Sequence, residues 1–407
     1  MSFHNPFKPG AGHMPPYLAG RTAERQRFVQ LLGQSGSITE NLVLTGLRGV
    51  GKTVLLETFK PAARASNWLW TGTDMSEAAS LTEANLATRI ITDLSIISAS
   101  TLTHTSRRLP IGFDRPEETM IAPVGYAALK DAYENAPGLV IDKIKFVMLL
   151  VWRNIEHSCS GVVFAYDEAQ IMGDGAASQE YPLSLMLELF QSLQRQGARY
   201  FLVLTGLPTL FPKLVEARTY SERMFHVMML DQLNDSESRD AIMKPIEDQN
   251  CSVTFTEKTV QMVLKLSGGY PYFIQFICKE IFDVALAKVA ADEPLIVPED
   301  AIVSKLDNDF FAARWEKATD RERDLLRVIA GLPNCDDEFS VNEIVSLSAT
   351  RLEKGFSSSH VNQMLNRMQD KGLIFKNRHG KYSFAVPLLS RFIRRQDIRL
   401  RDTDLLL

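Results

Sequence analysis

The eight residues Gly46-Leu47-Arg48-Gly49-Val50-Gly51-Lys52-Thr53 restrict the fold of this chain more than any other stretch. They match Gly-x-x-x-x-Gly-Lys-Thr in full. The run before them, Leu42-Val43-Leu44-Thr45, reads as a buried strand, and Val54 to Phe59 reads as the first turns of a helix. Each residue type has a chemical reason. Gly46, Gly49 and Gly51 let backbone N–H groups curl around a polyphosphate without Cβ clashes. The helix that follows, opening through Val54, aims its positive end at the same anion. Lys52 neutralises the β/γ oxygens, and the Thr53 hydroxyl is a ligand for Mg²⁺. The alternative is a glycine-rich turn that matches by chance; a strand, a complete loop and a helix in one register argue against it. The expected ligand is a nucleoside triphosphate with Mg²⁺.

At 407 residues the chain is too long for one hydrophobic core and suggests two or three domains. A formal net charge of -4 supplies no global basic field, so nucleic-acid binding would need a local patch. Cys159, Cys251, Cys278 and Cys335 have no CxxC or metal-ligand spacing and read as scattered thiols in a reducing compartment. The longest apolar run, Phe146 to Trp152, is too short to span a bilayer. Residues Met1 to Arg21 contain prolines and glycines but no apolar signal core. A cytoplasmic protein with no membrane contact is expected.

Helix signals start near Thr22. Strands are expected at Leu42–Thr45, Trp68–Thr71, Val162–Tyr166, Phe201–Thr205 and Arg223–Leu230, with helices between them, including Leu81–Ile97 and Leu139–His157. Such alternation predicts an α/β fold with a five-stranded parallel sheet covered on both faces. Residues 98–138 are rich in breakers and read as an insertion with one short helix. After Asp231 the strand pattern stops, and four helical stretches, the last from Pro298 into Trp315, read as a helical lid. From Asp320 the pattern is helix–helix–helix–strand–turn–strand. The expected domains are therefore 1–234, an arm and core carrying the insertion; 235–317, the lid; and 318–407, a winged helix.

"VVFAYDEAQ" is an apolar strand ending in Asp167-Glu168. Adjacent carboxylates there are costly to bury unless a cation or water uses them. At the C-terminal edge of a parallel sheet they face the crevice where the phosphate loop lies. Asp167 would hold Mg²⁺ and Glu168 would polarise the attacking water. Thr205, where "FLVLT" emerges, either orients that water or is simply a polar strand end.

Phosphate loop, Asp-Glu strand, polar-tipped strand, helical lid and small C-terminal domain, in that order, resemble the AAA+ and STAND branch of P-loop ATPases. Within it the chain is most similar to the Orc1/Cdc6-like and archaeal-type ATPases that end in a winged helix. The resemblance implies ATP as the nucleotide, and it implies roles for further residues. Pro16, Tyr17, Leu18 and Arg21 match the arm that such proteins place against the adenine, although an arm packed on the core accounts for the same residues. Arg223, and second Arg218, lie where these families carry an arginine finger that reaches a neighbour's γ-phosphate; pairing with Glu216 or Glu222 on the surface is the plainer reading. Ser267 to Gln275 matches the Gly-x-Pro lid signature, with Pro271 in the first turn of a helix facing the nucleotide. Tyr270-Pro271-Tyr272 lacks the arginine that many AAA+ enzymes carry there, which favours a nucleotide-controlled switch with slow or partner-stimulated turnover. Nucleotide-dependent homo-oligomers are the implied assembly.

Between Ser357 and Lys381 the C-terminal domain has the features of a recognition helix and wing. Ser357–Ser359 supply N-caps, Val361, Leu365 and Met368 form an apolar face, and His360, Asn362, Gln363, Asn366 and Arg367 lie opposite. Arg378-His379-Gly380-Lys381 forms the tip of a wing. Arg367, Lys371, Lys376, Arg378 and Lys381, opposed only by Asp370, make a local positive patch suited to duplex DNA. Arg391, Arg394, Arg395, Arg399 and Arg401 add charge towards the end of the chain. Winged helices also serve as protein-interaction modules. The second expectation is therefore a signalling or anti-phage defence regulator that holds a protein effector.

Overall fold

The computed structural model describes residues 4–10, 12–34, 40–108, 118–175, 177–248, 253–290, 296–378 and 380–404. Strands β1 (Asn41–Gly46), β2 (Trp68–Thr71), β3 (Thr103–Arg108), β4 (Glu118–Pro123), β5 (Gly161–Tyr166), β6 (Tyr200–Gly206) and β7 (Phe225–Leu230) precede three short C-terminal strands, β8 (Phe339–Ser340), β9 (Ile374–Arg378) and β10 (Lys381–Phe384). The backbone divides into two compact units. A core unit comprises Arg21–Thr45 and Lys52–Met229; a lid unit comprises Met1–Gly20, Gly46–Gly51 and Leu230–Leu407.

The core unit is built on a five-stranded parallel sheet of order β2-β5-β6-β1-β7. Every residue of β1, β5 and β6 is buried. Central strands covered on both faces need continuous apolar runs rather than alternation, which is the pattern these segments have. Helices Thr22–Gln34, Lys52–Ala65, Glu83–Thr101, Val140–Ile155 and Pro182–Arg195 accompany them. Phe28 stacks on Phe59 at 4.2 Å and so fixes the first of these helices to the second. The buried Asn41 side chain is satisfied by Leu202 N–H at 2.8 Å, as a polar group in such a core must be.

Residues 98–138 differ from the expectation. The preceding helix starts two residues late, where the Thr82 hydroxyl accepts from Asn85 N–H at 3.1 Å, and it runs on to Thr101. Strands β3 and β4 then pair antiparallel from Thr103↔Pro123 to Arg108↔Glu118, and the one expected short helix follows at Tyr126–Asn135. The first strand of this ribbon, "THTSRR", has no apolar alternation, so it gave no periodic signal. Residues 109–117, where the expected insertion is richest in breakers, lie outside the described residues.

In the lid unit, helices Asp235–Glu247, Glu257–Ser267, Pro271–Ala290 and Glu299–Leu306 stand where the sequence places them. Asn234 and Glu237 form a capping box at the first. The fourth stretch does not continue as plain α-helix: a π-helical segment, Asp307–Ala312, leads into the short helix Ala313–Glu316. The N-terminal arm belongs to this unit. Phe7 is buried between Phe255 and Phe282, each ring at 6.2 Å. The C-terminal part has the winged-helix order: helices Asp320–Ala330, Val341–Arg351 and Ser358–Asp370 with an antiparallel sheet β8-β10-β9. Val361, Leu365 and Met368 are buried, as their spacing predicts. A final helix, Leu389–Asp404, returns to the lid, where Phe392 stacks on Phe311 at 5.3 Å.

Among the described residues no helix is long and apolar enough to cross a membrane. Cys159, Cys278 and Cys335 are buried free thiols; Cys251 lies outside the described residues.

Candidate functional site

The core unit brings the Asp-Glu strand end to the start of helix Lys52–Ala65. Thr53 Oγ1 donates to Asp167 Oδ2 at 2.5 Å, and the other carboxylate oxygen accepts from Glu168 N–H at 2.8 Å. Asp167 is 4 % exposed, so these bonds fix its orientation in a nearly dry setting. Lys52, the first residue of the helix, is buried as well. Val54 follows, half-buried.

Glu168 is exposed and left-handed, with φ 52° and ψ 31°. For a non-glycine residue that conformation costs on the order of 1–3 kcal/mol and is typical of sites where a side chain must be aimed. Its carboxylate accepts a short hydrogen bond from Gln170 Nε2, while Gln170 Oε1 accepts from Leu207 N–H at 3.2 Å. Gln170 therefore ties the Asp-Glu turn to the end of β6. The sequence reading missed it: "DEAQ" shows an amide two residues beyond the glutamate, but no local pattern says what that amide will hold.

Asp74 was also missed. It follows β2 and bridges to Asp167, beside Met75 N–H donating to Asp167 O at 2.8 Å. Burial and then the negative charges of Asp167 and Glu168 raise the Asp74 pKa. Among the described residues no three acidic or metal-ligating side chains come close enough together to hold a metal by themselves. The hydroxyl of Thr53 and the carboxylate of Asp167 are hard oxygen donors of the kind Mg²⁺ takes beside phosphates, so the residues present fit that ion.

Thr205 is fully buried in the ladder opposite Leu44, and its hydroxyl has no partner among the described residues. Leaving such a group unsatisfied costs about 1–3 kcal/mol, which marks it as a place for a ligand or water.

In the lid unit, the phosphate loop has Gly49 at φ +81° and Gly51 at φ +92°. Those dihedrals exclude most side chains, and a Cβ on Gly51 would stand in open space, so the glycine serves the backbone shape itself. Gly46 closes β1. Tyr272 N–H donates to Gly49 O at 3.1 Å, which joins the loop to the first turn of helix Pro271–Ala290. Pro271 is half-buried at the start of that helix. Pro16 is exposed; Tyr17 and Leu18 are half-buried, and Tyr17 packs on the lid core. Arg21 belongs to the core unit, where it is buried and paired with Glu24 at 3.2 Å.

The two finger candidates differ. Arg218 pairs with Glu188 at 3.5 Å, a partner the sequence did not suggest. Arg223, on the short helix Ser221–Met224, is exposed and forms no ion pair among the described residues.

The positive patch of the winged helix is smaller than its sequence suggests. Lys371 is tied to the buried Glu322 at 2.5 Å, and Lys381 lies 3.6 Å from Glu343. Against the Glu322 burial that would raise its pKa, the Lys371 ammonium and the Thr319 cap hold that carboxyl below its ordinary value. Arg367 and Lys376 are exposed, as are His360, Asn362, Gln363 and Asn366. The Arg378 side chain and His379 lie outside the described residues. Arg391 donates to Lys265 O, Arg394 to Ala330 O, and Arg395 pairs with Asp307. These three bind the final helix to its own unit, although Arg394 remains exposed; the side chains of Arg399 and Arg401 lie outside the described residues.

A family model described as a domain of unknown function (DUF8462) matches residues 308–393. No curated protein matches the chain. Among solved structures, the Walker-type ATPase PABY2304 of Pyrococcus abyssi is similar over 93 % of this chain and 96 % of that one, with a TM-score of 0.55 and 15 % identity. The ORC2 protein of Aeropyrum pernix, solved as ADPNP–ADP complexes, is similar over 98 % of both chains, with a TM-score of 0.54 and 14 % identity. Its ADP form gives a TM-score of 0.52 at 13 % identity, over 97 % of both chains. At such identities the likeness is one of fold: the chain shares the fold of the Walker-type ATPase and the ORC2 protein.

Proposed function

We propose that this chain is an ATP-binding and ATP-hydrolysing switch that assembles with copies of itself when nucleotide is bound and contacts duplex DNA through its winged helix. One observation carries the nucleotide reading: the Thr53 hydroxyl lies on the Asp167 carboxylate, so the two groups that Mg²⁺ requires are already together. Mg²⁺, when bound, supplies positive charge to the phosphate oxygens. The glycine loop and Lys52 hold the β- and γ-phosphates. Glu168 takes the proton of the attacking water, Gln170 fixes its carboxylate, and Thr205 offers a hydroxyl to the same water. Tyr17, Leu18, Arg21 and Pro271 serve the base and sugar. Arg223, exposed and unpaired among the described residues, is better placed than Arg218 to reach a neighbouring subunit's γ-phosphate.

Two of the solved structures that share this fold are themselves described as an ATPase and as nucleotide complexes, which supports ATP as the ligand. DNA contact would run through Arg367, Lys376 and Arg378, with Lys381 contributing less because Glu343 neutralises it. A second reading has its own support. Arg391, Arg394 and Arg395 serve internal contacts, as expected of a winged helix that acts as a protein-interaction surface for an effector.

Salt dependence separates the two. On duplex DNA, log K should fall linearly with log salt, and the combined Arg367→Ala and Lys376→Ala variant should shallow the slope by about 0.9 for each phosphate the side chains had neutralised. Sedimentation should show larger species with ATP than with ADP. Absence of DNA binding at low salt would leave the regulator reading.

A further inference from the structure

Tyr166, the last residue of β5, carries the only polar side-chain atom of that strand and stands directly before Asp167. Successive strand residues point to opposite faces, so Tyr166 lies on the side away from Thr53, the partner of Asp167. It is fully buried in a core shared with Leu86, Ile90 and Leu94 of helix Glu83–Thr101. Its hydroxyl donates to Asp93 Oδ2 at 2.9 Å. Asp93, on the same helix, is itself 0 % exposed. The half-buried Arg89, one turn earlier, donates to both carboxylate oxygens, from Nε to Oδ2 at 3.0 Å and from Nη2 to Oδ1.

Asp93 holds a second strand end as well. Its carbonyl oxygen accepts from the Thr71 hydroxyl at 2.8 Å, and Thr71 closes β2. Gly72 follows at φ +114°, so near to β5 that a Cβ would stand 2.0 Å from Ala165 O. Just beyond it, Asp167 N–H donates to Thr73 O at 3.3 Å, and Met75 N–H donates to Asp167 O at 2.8 Å. The two strand ends that frame Asp167 are thus both fastened to residue 93.

Apolar side chains would fill this space at less cost, since a buried carboxylate and a buried phenol each need partners. What hydrogen bonds add to packing is a fixed direction and length. We propose that Asp93, held by Arg89, is a positioning residue for the metal: through the Tyr166 hydroxyl it sets the end of β5, and so where the Asp167 carboxylate meets Mg²⁺. This rests on the nucleotide-binding reading above. Asp93 and Tyr166 act through Asp167 and not on the nucleotide itself.

The test is a Mg²⁺ titration of ATPγS binding to the full-length wild type, Tyr166→Phe and Arg89→Lys, with metal-free ATPγS binding measured beside it. Tyr166→Phe removes one oxygen and keeps the ring. It should raise the half-saturating Mg²⁺ concentration about tenfold, the lower end of what losing a group behind a metal ligand costs, and leave metal-free affinity within about twofold. Arg89→Lys keeps the charge and loses the fork, so it should move the same midpoint by less. It decides the matter if Tyr166→Phe does not fold. Fewer binding sites at an unchanged Mg²⁺ midpoint would assign the network to the fold alone and overturn the proposal. Wild-type behaviour in both variants, or equal weakening with and without Mg²⁺, overturns it too while the nucleotide-binding reading stands. A wild type that binds no ATPγS overturns both.

Discussion

Glu168→Gln should bind ATP as tightly as the wild type and hydrolyse it about 10²–10⁴-fold more slowly, the range lost when a positioned general base is removed. The substitution is nearly isosteric and removes only the basic oxygen. Glu168 is exposed, so its loss exposes no cavity, and the left-handed backbone that aims it is unchanged. Single-turnover phosphate release, read beside equilibrium binding, separates the two quantities. Gln170→Ala supplies the control. It touches Glu168 and the Leu207 N–H, so it should lower turnover less and loosen the carboxylate without removing it. If Glu168→Gln turned over at the wild-type rate, another group would have to be the base. If it lost binding and turnover in equal measure, the residue would be part of the nucleotide's ground-state hold.

Arg395→Ala should destabilise the lid unit by about 3–5 kcal/mol, the range found when one member of a buried ion pair is removed. Asp307 is 1 % exposed, and Arg395 engages both of its carboxylate oxygens, through Nε at 3.1 Å and through Nη2. Removing the arginine takes both of those bonds from a buried charge on the π-helical turn. The double replacement Asp307→Leu with Arg395→Met should recover much of the loss, because apolar side chains of similar size often replace a buried pair without penalty. Hydrogen exchange of residues 307–316 and 389–395 in rising denaturant reports the effect locally, which suits a chain of two units better than one global melt. A loss below about 1 kcal/mol, the value of a surface pair, would show that water reaches the pair in solution.

Much of the fold is legible because its signals are local. Continuous apolar runs mark β1, β5 and β6, since strands covered on both faces have no other choice of residue. Helix starts are written in capping pairs: Asn234 with Glu237, Thr319 with Glu322, Ser340 with Glu343. The phosphate loop, Thr53, Asp167 and Glu168 are legible for the same reason, each within a few residues of a strand end. What the sequence hid depends on distance along the chain. The ribbon β3–β4 is paired by its own backbone ladder, and its polar strand "THTSRR" carries no apolar pattern. Phe7 meets Phe255 and Phe282, and nothing near Phe7 announces them. Gln170 and Asp74 gain their meaning only when Leu207 and Asp167 arrive beside them. Charge counts misled most in the final helix and the wing. Arg391, Arg394, Arg395 and Lys371 look like a nucleic-acid surface in sequence, and each has an internal partner in the fold.

The central claim is that Lys52, Thr53 and Asp167 form a site for ATP with Mg²⁺, and a calorimetric titration of ATP into the full-length wild type and Lys52→Ala, with and without Mg²⁺, tests it most directly. Saturable, Mg²⁺-dependent binding to the wild type, weakened about tenfold or more in Lys52→Ala because a charge-assisted hydrogen bond to phosphate is gone, is the predicted result. Absence of binding to the wild type, or equal binding to both chains with and without the metal, would contradict it.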